Sequence, residues 1–242
     1  MSYRQTLVFL LGIFFLSLSQ AKTLVVGTTP EYPPFSMSAD KTHYYGFDVD
    51  LMTEICKRIE QDCRFQPMPF DGLLPGLQAR QIDVAIGAII INDAILEHFL
   101  SSVPYLESNA QFISLKSSPI KTPSDIKNKK LGVRNGTLFQ ALAEHLFQNH
   151  IHITSFDDVT DLISALSAES IDAILMNAAA AKYWSANNNE LYKLIGNPIP
   201  TGKGYGIISN KNQDLLMEKI NEALLHMQND GSYLKIYSRY FQ

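Results

Sequence analysis

Apolar and polar residues alternate in short blocks along this chain, and the blocks read as strands and helices taking turns. Residues 23–28 (TLVVGT) are a β-rich apolar run, followed by a loop carrying Pro30, Pro33 and Pro34. Prolines there cannot donate to a sheet. Between 48 and 59, Val49, Met52, Ile55, Cys56 and Ile59 recur at helical spacing. A short strand at 64–67, a short helix at 73–79 and a buried strand at 84–86 follow. A second series opens with a strand at 131–133 and a helix at 138–149. It continues with a strand at 153–156, a helix at 159–168, a strand at 171–176 and a helix at 178–185. A strand at 205–209, an amphipathic helix at 214–228 and a helix at 232–240 close the chain. This alternation predicts an α/β fold of two similar lobes, each a mainly parallel sheet flanked by helices. No low-complexity linker separates the series, so the chain is expected to cross between lobes twice, near 107–111 and 197–203. Ligands of open α/β sheets bind outside the carboxyl ends of the strands. With two lobes face to face, that edge becomes a cleft.

The first residues follow a different pattern. Arg4 precedes an apolar stretch at 7–18, and Ser19-Gln20-Ala21 is a small-x-small cleavage site. The stretch is too short for a mature membrane span. Residues 1–21 therefore read as a cleavable signal peptide, with the mature chain starting at Lys22 in the periplasm; the alternative is an N-terminal anchor. No Cys follows the cleavage site to carry a lipid. Loss of Arg4 takes the formal net charge from −4 to −5. A mildly acidic, well-mixed chain argues against nucleic acid as a partner.

Export also frames the two cysteines. Cys56 and Cys63 lie seven positions apart around the end of one predicted helix, in an oxidising compartment. A local disulfide is expected, contributing on the order of 2 kcal/mol because the loop is short. Two buried thiols are the alternative. Two thiols alone leave a zinc site half built, and the six histidines show no metal-ligand spacing. No metal and no cofactor are expected.

Several short motifs stand in a definite order. They are Tyr32-Pro33-Pro34-Phe35, Gly46-Phe47-Asp48-Val49-Asp50-Leu51, Phe70-Asp71-Gly72-Leu73, Ile82-Asp83-Val84-Ala85-Ile86-Gly87, Asn135-Gly136-Thr137, Ile171-Asp172-Ala173 and Gly204-Tyr205-Gly206-Ile207. Over essentially the whole mature chain they resemble the amino-acid-type periplasmic solute-binding proteins of ABC importers, closest in look to the lysine/arginine/ornithine and arginine binders. The resemblance implies the two-lobed type II periplasmic binding protein fold, with lobe 1 spanning 22–107 plus 203–242 and lobe 2 spanning 110–197. It implies a monomer that closes on a small amino-acid-like ligand and delivers it to an inner-membrane permease. Cys56 and Cys63 fall where the basic-amino-acid binders carry a disulfide.

The resemblance also carries a ligand-binding set. Tyr32 and Phe70 match two aromatics that sandwich the ligand side chain, and flat rings accept an apolar stem or a planar cation. Their plainer reading is core packing. Thr137, followed by Leu138, opens a helix whose free N–H groups suit an anion; its plainer reading is an ordinary cap. Gly87, Ala88 and Ile90 fall in the segment of small polar residues that lines the family's pocket. There the chain departs from the pattern. Ile95 stands where the family's arginine forks the ligand carboxylate. Asn177 replaces the acid that pairs the α-ammonium, and Thr29 replaces an acid that meets a distal cation. Losing one such arginine weakens binding about tenfold to more than a hundredfold. Arg134 and Glu31 are candidates to restore charge if they face the cleft, and surface residues if they do not.

Catalysis needs a positioned acid or base. The cleft set offers only Glu31, with no nucleophile elbow and no Ser/His/Asp constellation, so no catalytic residue is assigned and a binding protein is expected. The competing readings are capture of an amino acid through altered contacts, capture of a less charged solute, and an extracytoplasmic sensor acting through a separate partner.

Overall fold

A computed structural model describes residues 23–40, 43–148 and 150–241. The export signal and cleavage site expected from the sequence lie outside the described residues. The first lobe runs β1 (Leu24–Thr28), β2 (Met37–Ser38), β3 (Tyr44–Tyr45), α1 (Phe47–Arg58), β4 (Cys63–Pro67), α2 (Leu73–Gln78), β5 (Val84–Ala85), α3 (Asp93–His98) and β6 (Phe99–Ser101). The second runs β7 (Asn109–Leu115), β8 (Lys130–Arg134), α4 (Phe139–Phe147), β9 (His152–Phe156), α5 (Val159–Ser167), β10 (Ala173–Asn177), α6 (Ala178–Asn187) and β11 (Tyr192–Pro200). The chain then returns to the first sheet with β12 (Ile208–Asn210), α7 (Asp214–Asn229) and α8 (Ser232–Phe241).

Each lobe is built on one five-stranded sheet, in the orders β4-β1-β5-β12-β6 and β11-β7-β10-β8-β9. The strands joined by helices are parallel: β1 with β4 and β5, and β8 with β9 and β10. The strands that carry the chain across are antiparallel: β7 with β10 and β11, and β12 with β5 and β6. Each sheet is therefore mixed. A strand entering a sheet from the other lobe has no helix to reverse it, so it runs against its neighbours.

The two crossings lie side by side. Thr201 N–H donates to Ser108 C=O, and Tyr205 N–H donates to Leu106 C=O. β7 and β11 extend into the expected crossing segments, and β12 begins three residues later than the 205–209 run suggests. Tyr205 instead makes isolated bridges to Ile90 and Leu106.

α1 buries Phe47, Val49, Leu51, Met52, Ile55 and Cys56 on one face. The returning C-terminal helices pack over it. Phe47 meets the rings of Tyr105, Tyr233, Tyr237, Tyr240 and Phe241 at centroid distances of 4.8–6.3 Å. Arg58 pairs Asp230 at 2.8 Å and Arg239 pairs Asp50 at 2.9 Å, tying the end of the chain to the first lobe. Cys56 and Cys63 form a disulfide that links the last turn of α1 to the first residue of β4.

Candidate functional site

The site lies at the carboxyl ends of β1, β5, β8 and β10, where the two sheets face one another. It is a cavity of about 200 Å³, below the roughly 300–1,000 Å³ usual for small-molecule sites. Its first-lobe wall is made by Phe70, Leu73, Leu74 and the turn after β5 with Ala88, Ile89, Ile90 and Ile95. Its second-lobe wall is made by Arg134, Gly136, Thr137, Leu138, Phe139 and Asn177. The lining is mostly apolar, and among the described residues Asp71 and Arg134 are its only charged members.

Local chemistry explains the first-lobe wall. Asp48, at the start of α1, is fully buried, and its Oδ2 accepts from Ala88 N–H at 2.8 Å. That bond holds Ala88 in a left-handed backbone conformation, φ 51°, which costs a non-glycine residue on the order of 1 kcal/mol. The turn is thereby aimed so that Ile89 and Ile90 reach the cavity. Burial pushes the Asp48 carboxyl up to about 7, against the lowering effect of the Ala88 N–H. Asn92 caps α3 by accepting Ile95 N–H at 2.9 Å, which fixes Ile95 on the wall.

The second-lobe wall centres on Arg134, the last residue of β8. It is only 4% exposed. Its Cζ lies 4.7 Å from the Tyr32 ring centroid and 4.8 Å from that of Phe70. Two first-lobe aromatics thus clasp a second-lobe guanidinium, each such contact contributing about 0.5–2 kcal/mol. Nη2 donates to Thr29 Oγ1, while Nε and Nη1 have no hydrogen-bond partner. Burial lowers the Arg134 pKa; Tyr32, Asp158 and Asp71 act the other way. The group stays charged.

Further contacts bridge the lobes around it. Tyr32 donates its hydroxyl to Asn177 Oδ1, and Asn177 Nδ2 donates to the Tyr205 hydroxyl at 2.6 Å. Burial raises both tyrosine pKa values well above the usual, so both remain protonated. At the mouth, Asn135 Nδ2 donates to Asp71 Oδ2 at 3.2 Å and to Asp157 Oδ1 at 3.0 Å. Thr137 donates its hydroxyl to Arg134 C=O at 2.6 Å and accepts Phe139 N–H at 3.4 Å, holding the turn into α4.

The residues singled out from sequence fall into three groups. Phe70, Ala88, Ile90, Ile95, Arg134, Thr137, Leu138 and Asn177 line the cavity. Thr29 and Tyr32 lie behind Arg134 and hold it. Gly87 and Glu31 are not brought to the lining. A Cβ on Gly87 would meet Thr29 Cγ2 at 2.7 Å, so Gly87 serves close packing. Glu31 is exposed and accepts the Ser38 hydroxyl. Leu73, Leu74 and Tyr205 were not picked out as site residues. Leu73 and Leu74 read as core positions of a short helix, and only their place three and four residues after Phe70 hinted otherwise.

The chain is similar to known proteins over nearly its whole length. The arginine-binding protein 1 of an ABC transporter in Escherichia coli (strain K12) is 30% identical over 237 residues, 96% of each chain. An arginine 3rd transport system periplasmic binding protein from Legionella pneumophila is 41% identical, with a TM-score of 0.85 over 90% of this chain and 99% of its own. An ancestral arginine-binding protein solved with arginine is 33% identical, with a TM-score of 0.84 over 91% and 98%. Residues 24–242 match the bacterial extracellular solute-binding proteins, family 3, and the chain belongs to that family.

Proposed function

We propose that this protein captures an amino-acid-like small solute between its lobes and delivers it to an ABC permease in the inner membrane. The supporting observation is a cavity between the lobes, which are held together around it by contacts between elements far apart in sequence: Tyr32 with Asn177, Thr29 with Arg134, Asp71 with Asn135. A closed cleft buries most of a small ligand's surface, and opening releases it. Relatives named for arginine binding in ABC transport support the solute class and the permease partner. In this reading residues 1–21 direct export and are removed after Ala21. The mature chain works as a periplasmic monomer. Its moving bodies are 22–107 with 203–242, and 110–197. The role is binding and not catalysis: Asp71 and Arg134 line the cavity without forming an acid–base pair about a reacting atom.

The test is to denature the purified mature protein, identify any released solute by mass spectrometry, and return it to refolded protein. The expected result is a raised Tm together with a smaller radius of gyration by X-ray scattering. A protein that releases no solute, and responds to no member of a broad amino-acid and organic-acid panel, would overturn the reading.

A further inference from the structure

Arg134 is an enclosed cation at the cavity wall. Its guanidinium faces are covered by Tyr32 and Phe70, one nitrogen is bonded to a neutral hydroxyl, and Nε and Nη1 have no partner. Among the described residues it forms no ion pair. Enclosing a charge in this way is costly unless something pairs it. Arg134 lines the cavity, so the missing acceptor belongs to whatever enters there. α4 begins at the same wall, and its first N–H groups favour negative charge nearby.

The second-lobe wall carries no acid, and Asp71 on the facing wall is the one carboxylate of the lining among the described residues. Asn177, where an acid would pair an ammonium, has its Oδ1 taken by Tyr32 and its Nδ2 given to Tyr205. Asp71 is exposed at the mouth and already accepts from Asn135. The space between two aromatic rings, suited to a ligand's planar cation, is filled by Arg134 itself. A second cation beside an enclosed guanidinium is repelled. Much of the remaining lining is aliphatic, with Leu73, Leu74, Ile89, Ile90, Ile95 and Leu138, beside the polar Asn92 and Thr137. That surface suits a compact branched hydrocarbon body.

We infer that the ligand is a small monocarboxylate with an aliphatic body and no α-ammonium, such as a branched 2-oxo or saturated acid, and that Arg134 is its carboxylate anchor. This rests on the solute-capture reading and names its substrate class.

The experiment uses one hydrocarbon body with four head groups, measured by thermal shift and calorimetry on refolded mature protein. The probes are 4-methylpentanoate, 4-methyl-2-oxopentanoate, L-leucine and L-leucinol, with L-arginine beside them. The expected result is a raised Tm with the two ammonium-free acids, at least a tenfold weaker response to L-leucine, and none to L-leucinol or L-arginine. Arg134→Leu should abolish the response. Arg134→Lys keeps the charge with fewer donors, should weaken affinity about tenfold, and serves if the leucine variant does not fold. Binding of L-arginine or L-leucine in preference to the ammonium-free acids overturns the inference while leaving solute capture intact. So does acid binding that survives Arg134→Leu, or release of a solute of another class on denaturation. No binding by any probe and no released solute overturns both.

Discussion

Asp48 illustrates how a single side chain sets both the cleft and the pH response. It holds the Ala88 turn while wholly buried, and burial raises its pKa from 3.8 to about 7. The folded state therefore keeps the proton over a range in which the unfolded state has lost it. Below about pH 3.8 both states are protonated, and Asp48 imposes no penalty. As pH rises from there to about 7 the unfolded state binds fewer protons, and folding stability falls. Above about 7 the penalty is constant, of the order of a few kcal/mol. Asp48→Asn keeps an acceptor for Ala88 N–H and removes the charge. Urea unfolding at pH 4 and pH 8 should show the asparagine variant gaining on the wild type by a few kcal/mol at the higher pH. Parallel stabilities at the two pH values would refute this. Asp48 was legible in sequence as one letter of a motif; its role was not, because it depends on a backbone amide forty positions away.

At the scale of elements, the joint between α1 and β4 is tied covalently. Cys56 lies in the last turn of the helix and Cys63 opens the strand. The closed loop is short, so the constraint on the unfolded chain contributes about 2 kcal/mol. The double variant Cys56→Ala/Cys63→Ala should lose about that much in denaturant unfolding, with ligand affinity unchanged, since the bridge is remote from the cavity lining. A loss of affinity instead would mean the joint positions the Phe70 turn. This joint was readable from spacing and compartment, and so were the helices whose apolar period is 3.6, such as α1 and α7. The strands β7 and β11 were not. β7 is buried at nearly every position, so it shows no alternation. β11 carries Gly196, Pro198 and Pro200 and pairs irregularly after Ile195. Arg134 lay between the two cases: its place at the end of β8 was legible, whereas its direction was decided by two rings and a hydroxyl from the other lobe.

At the scale of the whole molecule, the proposed capture needs the lobes to approach closely, and one glycine stands where they meet. Gly136 has φ +72°, and a Cβ there would lie 2.8 Å from Asp71 Cβ and 2.9 Å from Asp71 Cα. Asp71 belongs to the first lobe and Gly136 to the second, and a backbone atom cannot swing aside as a flexible side chain would. Gly136→Ala should therefore hold the cleft ajar. The same substitution also strains a left-handed backbone, at a cost of about 1 kcal/mol, and the two effects must be separated. Gly231 supplies the control: its φ is +80°, and a Cβ there would meet nothing within 4 Å. Gly136→Ala and Gly231→Ala should lose similar stability in denaturant unfolding. Only Gly136→Ala should keep the ligand-free radius of gyration when the released solute is added, and only it should bind that solute at least tenfold more weakly. Equal closure in the two variants would show that contact between Asp71 and Gly136 does not limit how far the lobes come together.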